Sequence, residues 1–246
     1  MKPIILLLFI CAIALQAQEN AKEIVQKSDQ LMRANSSYSE LTMKVIKPDW
    51  SREMQMKVWA LEPDYALVLI TAPARDKGTV TLKRKQEVWN YLPQVDRVIK
   101  IPPSMMLQSW MGSDFTNDDL VRQSSIVQDY EHTLQGKEEF NGYECYVIHM
   151  KPRPEAGVVW GKVLMWISVD GYIQLKAEYY DEYGDKVKMM VGKEVKTLGG
   201  RRIATHWEMI PLDEPDQKTV MIYQEIDFNI DIKPSFFSQQ NMKRVR

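Results

Sequence analysis

Three histidines and two cysteines are the whole supply of imidazole and thiol groups in 246 residues. His132, His149 and His206 stand 17 or more residues apart, and none has a Cys or second His at the short spacing that zinc sites use. They read as surface or packing groups, and no metal is expected. Gly157 to Lys162 reads GVVWGK, one residue short of a phosphate-cradling loop. It lacks the Ser or Thr after the Lys and opens a strand rather than a helix. Ser113, in Met111-Gly112-Ser113-Asp114, lacks the flanking glycines of a nucleophile elbow. Carboxylates are plentiful, but nothing singles out an acid–base pair. No catalytic residue and no cofactor is expected, and an enzyme is unsupported.

What the chain has in quantity is soft apolar surface, with 15 Met, 7 Trp and 11 Tyr. Apolar residues make up 45% and charged residues 26%, an ordinary globular balance that excludes a disordered chain. The 32 basic and 33 acidic residues leave a formal charge of −1. Basic residues come in ones to threes, as in Lys83-Arg84-Lys85, Arg201-Arg202 and Lys243-Arg244. These read as solvated strand ends, and no nucleic-acid partner is expected. The composition suits the binding of an apolar ligand.

The elements that must position these residues begin with an address. Residues 1–17 read MKPIILLLFICAIALQA: a basic Lys2, an apolar run from Ile4 to Leu15, and a small Ala17 suited to precede cleavage. This is a secretory signal pattern, too short to span a bilayer comfortably. Cys11 raises the question of lipidation, but Phe9 and Ile10 before it are bulkier than that signal wants. Cleavage after Ala17 leaves Cys145 as the one thiol, so the exported chain has no intramolecular disulfide.

Residues 18–246 read as one domain. From Gln18 to Ser36 the residues Ile24, Val25, Ser28, Leu31 and Met32 make one helical stripe. The period then changes to two. Leu41, Met43 and Val45 alternate with polar neighbours, as do Met54, Met56, Val58 and Ala60. Leu67 and Leu69 fall in a run with both faces apolar. Strand patterns recur to Lys218–Phe228, broken by short turns at Asn141-Gly142, Asp170-Gly171, Tyr183-Gly184-Asp185 and Gly199-Gly200. About eleven strands joined by tight turns make an antiparallel meander. Residues 102–124 interrupt it with Pro-Pro and two short helix-like pieces, the second capped by Thr116 or Asn117. Pro234–Arg246 reads as a C-terminal helix. The expected fold is mainly β: a large antiparallel sheet curled into an unclosed half-barrel. The N-terminal helix, the middle insertion and the C-terminal helix are available to cover its inner face.

A sheet of that width has a concave face that its own side chains do not fill. Met lies on predicted strands at 43, 54, 56, 165, 189, 190, 209 and 221, and Trp at 59, 89, 166 and 207. They are either ordinary core or the wall of a cavity for an apolar ligand of variable shape. The candidate lipid-binding residues on strands are Met43, Met54, Met56, Val58, Leu67, Leu69, Leu82, Trp89, Tyr91, Leu164 and Trp166. In the insertion they are Leu107, Trp110, Met111 and Phe115. Each methylene moved from water into such a site gains about 0.8 kcal/mol, so a C16 chain gains on the order of 12 kcal/mol.

Trp89-Asn90-Tyr91-Leu92-Pro93, then Arg97-Val98-Ile99-Lys100-Ile101, then Ser109-Trp110-Met111-Gly112-Ser113-Asp114-Phe115 with Asp118-Asp119-Leu120, resembles the outer-membrane lipoprotein-sorting protein family of LolA-like fold. Lys77-Gly78-Thr79 before a strand and Asp170-Gly171-Tyr172 after Trp166-Ile167 fit the same pattern. The resemblance implies an unclosed barrel wrapped around helices and a cavity that carries acyl chains across the periplasm. It also implies an inner-membrane transporter and an outer-membrane acceptor as partners, transient membrane contact and no catalytic residues. The likeness is to the broader sorting-like branch; the classical lipoprotein chaperone is shorter and lacks the Met-Gly-Ser-Asp-Phe insertion. Gly112, Ser113 and Asp114 are either a cavity lid, with Asp114 capping the next helix, or a structural corner. The first expectation is a monomeric periplasmic carrier of lipoprotein or lipid acyl chains. The second is a lipid-sensing module that signals through a protein partner.

Overall fold

The structure, a computed structural model, describes residues 20–122 and 126–246; the expected signal segment lies outside them. Thirteen strands form one antiparallel sheet. The first meander is β1 (Ser36–Ile46), β2 (Ser51–Leu61), β3 (Tyr65–Ala72), β4 (Val80–Arg84), β5 (Glu87–Leu92) and β6 (Arg97–Lys100). The second is β7 (Tyr130–Phe140), β8 (Tyr143–Pro152), β9 (Lys162–Ser168), β10 (Gln174–Tyr180), β11 (Lys186–Leu198), β12 (Arg201–Pro211) and β13 (Lys218–Phe228). Pairing of β1 with β13 joins the two meanders in mid-sheet, so β6 and β7 are the free edges and the barrel stays open between them.

Two more strands form than the eleven expected. The connections at 47–50 and 62–64 turn on Pro-Asp without glycine, so the first stretch of the sheet carries less punctuation than the second. Where the glycine signal is present it holds: Asn141 and Gly142 both take positive φ, 50° and 79°, as a two-residue hairpin loop requires.

Among the described residues three α-helices accompany the sheet. Helix α1 (Ala21–Arg33) begins at Asn20, whose side chain accepts from Lys22 N at 3.0 Å, and buries the predicted face of Ile24, Val25 and Ser28. It lies over the second meander, against β7, β9 and β12. Helix α2 (Asn117–Arg122) lies in the insertion. Thr116 caps it: Asp119 N donates to Thr116 Oγ1 and Thr116 N donates to Asp119 Oδ2, a reciprocal capping box.

The C-terminal segment departs from expectation in two ways. Its predicted helix is a 3-10 turn at Pro234–Phe236 followed by the single turn α3 (Gln239–Met242), interrupted where Ser238 caps the latter. It also lies on the outer face of the sheet, where Phe237 and Met242 pack with Leu67, Leu82 and Trp89. Only α1 and the insertion cover the inner face. The reason is composition: β3 is apolar on both sides, and β4 and β5 turn Leu82 and Trp89 outward beside Leu67, so the outer side requires its own cover.

Candidate functional site

Register assigns each strand residue a face. Met43 pairs with Met54, Leu41 with Met56 and Ser39 with Val58 across β1 and β2. Val58 pairs with Val68 and Ala60 with Ala66 across β2 and β3. Val68 pairs with Thr81 and Ala66 with Lys83 across β3 and β4. On the other side of the β1–β13 seam, Met221 pairs with Trp207, and Met209 with Met190. All of these point inward, because side chains two apart share a face.

Between this inner face, α1 and the insertion lies a cavity of about 320 Å³. That is at the lower end of the roughly 300–1,000 Å³ of small-molecule sites. Its wall in the first meander is Leu41, Met56, Val58, Ala60, Ala66 and Val68; in the second it is Met150, Val163, Met165, Met190, Trp207, Met209 and Met221. Trp110 and Phe115 close it from the insertion, and Met32 and Arg33 from the end of α1. Gly192 makes part of this possible. A Cβ there would stand 3.0 Å from two atoms of the Trp207 ring, so only glycine lets the indole lie across β11.

The charged residues of the cavity lining are Arg33, Glu62, Lys83, Asp118 and Asp119. Lys83 is 7% exposed, and its Nζ donates to Pro63 O at 2.9 Å. Burial is the main influence on this amine and lowers its pKa; Glu62 and Asp64 oppose the shift and Arg33 adds to it. Arg33 Nε meets Asp29 at 2.6 Å, and its Nη1 lies 3.9 Å from Glu62. Tyr179 and Tyr223 also line the wall, and burial raises both phenol pKa values. Among the described residues no group of three or more His, Cys, Asp or Glu is arranged to hold a metal, and no helix is long and apolar enough to cross a membrane.

The fifteen candidate lipid-binding residues singled out by sequence divide into four environments. Met56, Val58, Trp110 and Phe115 line the cavity. Met43 and Met54 face inward but are fully buried beneath Trp110, with Met111 packed against the same cluster, so they form a filled floor. Leu67, Leu69, Leu82, Trp89 and Tyr91 lie on the outer face under the C-terminal segment. Leu164 and Trp166 are also outward, with Trp166 donating to Glu138 at 2.9 Å beneath the Lys176 ammonium. Leu107 is 61% exposed on the insertion.

Gly112, Ser113 and Asp114 make a corner with firm anchors. Ser113 Oγ donates to Trp110 O at 2.7 Å. Asp114 does not cap α2; it accepts from Lys47 Nζ at 2.7 Å and from Thr219 Oγ1 at 2.7 Å. Sequence reading passed over Lys83 and Arg33. The first sits in a Lys-Arg-Lys run that resembles a solvated strand end, yet it alternates with Leu82 and therefore enters the barrel.

A family model described as "Uncharacterized protein" matches residues 62–244. No curated protein matches the chain. Among solved structures, a DUF1329 family protein from Desulfovibrio piger superposes with a TM-score of 0.81 at 23% identity, over 90% of this chain and 97% of that one. A domain named for outer membrane lipoprotein sorting, from Vibrio parahaemolyticus, gives 0.79 at 23%, over 91% and 98%. A LolA superfamily protein from Nitrosomonas europaea gives 0.75 at 21%, over 89% and 98%. The chain thus belongs to the uncharacterized-protein family whose model spans residues 62–244, and it carries the LolA-like fold of the lipoprotein-sorting proteins.

Proposed function

We propose that the protein is a periplasmic, non-catalytic carrier that takes acyl chains of lipoproteins or lipids into this cavity and moves them toward the outer membrane. It receives them from an inner-membrane transporter, yields them to an outer-membrane acceptor and touches membranes briefly. One observation carries the reading: an inward wall of thioether and branched side chains is left unfilled between sheet, helix and insertion. A core that served only stability would close such a space, since voids lose packing contacts. Met adapts its shape to a flexible tail, and the enclosed wall removes methylenes from water. The secretory pattern at residues 1–17 supports the compartment.

Ala60 and Ala66 face each other across β2 and β3 on the cavity wall. Replacing either with Phe fills the space from the wall with little disturbance elsewhere. The exported protein is expected to carry co-purifying lipid, detected by mass spectrometry, and to bind a fluorescent fatty acyl probe. Both signals should fall in Ala60→Phe and Ala66→Phe at unchanged melting temperature. Delipidated protein that ignores acyl probes altogether defeats the proposal. Transfer of bound probe to acceptor vesicles separates a carrier from a sensor, which would hold its lipid and bind a protein.

A further inference from the structure

On the first meander the cavity ends along one line across four strands. The last residues to line it are Leu41 on β1, Met56 on β2, Val68 on β3 and Thr81 on β4. Leu41 pairs with Met56, and Val68 with Thr81. The inward apolar stripe does not end there. It goes on through Met43 and Val45 on β1, Met54 on β2 and Ile70 on β3, all almost fully buried and none of them on the cavity wall. From Leu41 to Val45 the strand advances roughly 13 Å at about 3.3 Å per residue, so a long apolar surface is withheld from the cavity.

Trp110 is what withholds it. Its side chain belongs both to the cavity wall and to the cluster of Met43, Val45, Met54 and Ile70, so it stands between the open space and the filled stripe. The residue is fixed at three points. Nε1 donates to Thr81 Oγ1 at 3.2 Å, the backbone N–H donates to Phe115 O at 2.7 Å, and the backbone carbonyl accepts from Ser113 Oγ at 2.7 Å. A thioether wall yields to a ligand, whereas a broad rigid ring bonded at its N–H and pinned through its backbone does not. The wall is also dry in character. Leu41, Met56, Val68 and the indole carry no charge, and the Thr81 hydroxyl is already bonded to Trp110 and Asn90. Such a wall favours methyl and methylene groups over anything polar.

We propose that Trp110 sets the length of acyl chain that the cavity accepts, with the methyl end of the chain stopped against the indole. The inference rests on the acyl-binding reading above and adds the selectivity of the site for chain length. It gives the insertion a part in recognition: the sheet supplies the wall along which the tail lies, and the insertion supplies its end.

The test measures straight-chain fatty acids from decanoate to stearate, by displacement of a fluorescent acyl probe from the delipidated full exported chain. Affinity is expected to rise about fourfold per methylene up to a limiting length and then to level off. In Trp110→Leu, which keeps an apolar side chain at the corner, the limit should move to longer chains while decanoate binds as before. Val68→Phe, which thickens the same wall from the sheet side, should move the limit to shorter chains. It decides the matter alone if the Trp110 variant fails to fold. A limit that stays put in folded Trp110→Leu means that the tail ends elsewhere, as it would by running into the second meander. That result, or binding with no limiting length at all, overturns the assignment to Trp110 and leaves the carrier reading intact. Failure of every chain and of the probe to bind overturns both.

Discussion

The indole Nε1 of Trp110 donates to Thr81 Oγ1 at 3.2 Å in the interior, and Thr81 Oγ1 in turn donates to Asn90 Oδ1 at 2.8 Å. That short chain ties the insertion to β4 and β5. The tie matters because of topology. The segment between β6 and β7 joins the two free edges of the sheet, so it has to cross the open side of the barrel. Trp110 is one of the points at which it touches the inner wall, with Phe115 another.

Thr81→Val removes the acceptor and leaves a buried indole N–H unpaired, at a cost of about 1–3 kcal/mol. Trp110→Ala opens a cavity as well and should cost about 3–5 kcal/mol. Urea unfolding measures both. A Thr81→Val variant as stable as wild type would show that the bond holds nothing.

The insertion has a second anchor at Asp114, which accepts from Lys47 and Thr219 at 2.7 Å each. The Asp114 side chain is nearly buried and Thr219 wholly so. Asp114→Ala takes the acceptor from the Thr219 hydroxyl proton and the near carboxylate from the Lys47 ammonium, while the backbone N–H of residue 114 still reaches Thr219 Oγ1, so the expected loss is about 1–3 kcal/mol. Proteolysis should cut the variant first within 102–122. Unaltered cleavage would assign Asp114 no part in holding that segment.

Phe237 is fully buried on the outer face, stacked on Tyr65 with centroids 5.5 Å apart. Phe237→Ala is expected to cost about 3–5 kcal/mol. It should leave acyl-probe affinity unchanged, because its cluster lies across the sheet from the cavity. A parallel loss of affinity would mean that the two faces communicate.

Two outer-face glutamates predict acid sensitivity. Burial alone would lift the pKa of Glu208, but hydrogen bonds and charge from Lys193 and Lys218 more than offset this and leave it below the ordinary 4.5. Glu178 behaves alike, with Lys176, Tyr180 and Lys186 as the opposing partners. A depressed carboxyl contributes stability that is complete above its unfolded pKa and is lost as pH falls through the folded one. The melting temperature should therefore hold above 4.5 and drop below it. Glu208→Gln should melt lower near neutrality and show a shallower acid limb. An unchanged acid limb in the double variant Glu178→Gln with Glu208→Gln refutes the assignment.

Much of the fold is written locally. The helical stripe of Ile24, Val25 and Ser28 is the buried face of α1, and of the two cap candidates, Thr116 and Asn117, it is Thr116 that caps α2. Turn dipeptides such as Asn141-Gly142 require positive φ wherever they stand, so the hairpins of the second meander are legible without any tertiary contact. Met190, Met209 and Met221 are legible as strand residues but are not among the candidate lipid-binding residues; register alone puts them on the cavity wall.

What the sequence by itself determined is the set of elements, their mostly antiparallel order and the apolar stock from which a cavity is built. Which face became the cavity was decided only in three dimensions. A strand apolar on both sides, as β3 is, carries no parity signal, so Leu67 and Leu69 look as suitable as Val58 or Met56. The C-terminal segment, folding back from far along the chain, covers the first set and leaves the second to face α1. Tertiary structure likewise chose β6 and β7 as the edges, through the β1–β13 pairing. It was that pairing which set residues 102–122 beside the open side of the barrel, with Trp110 against its inner wall.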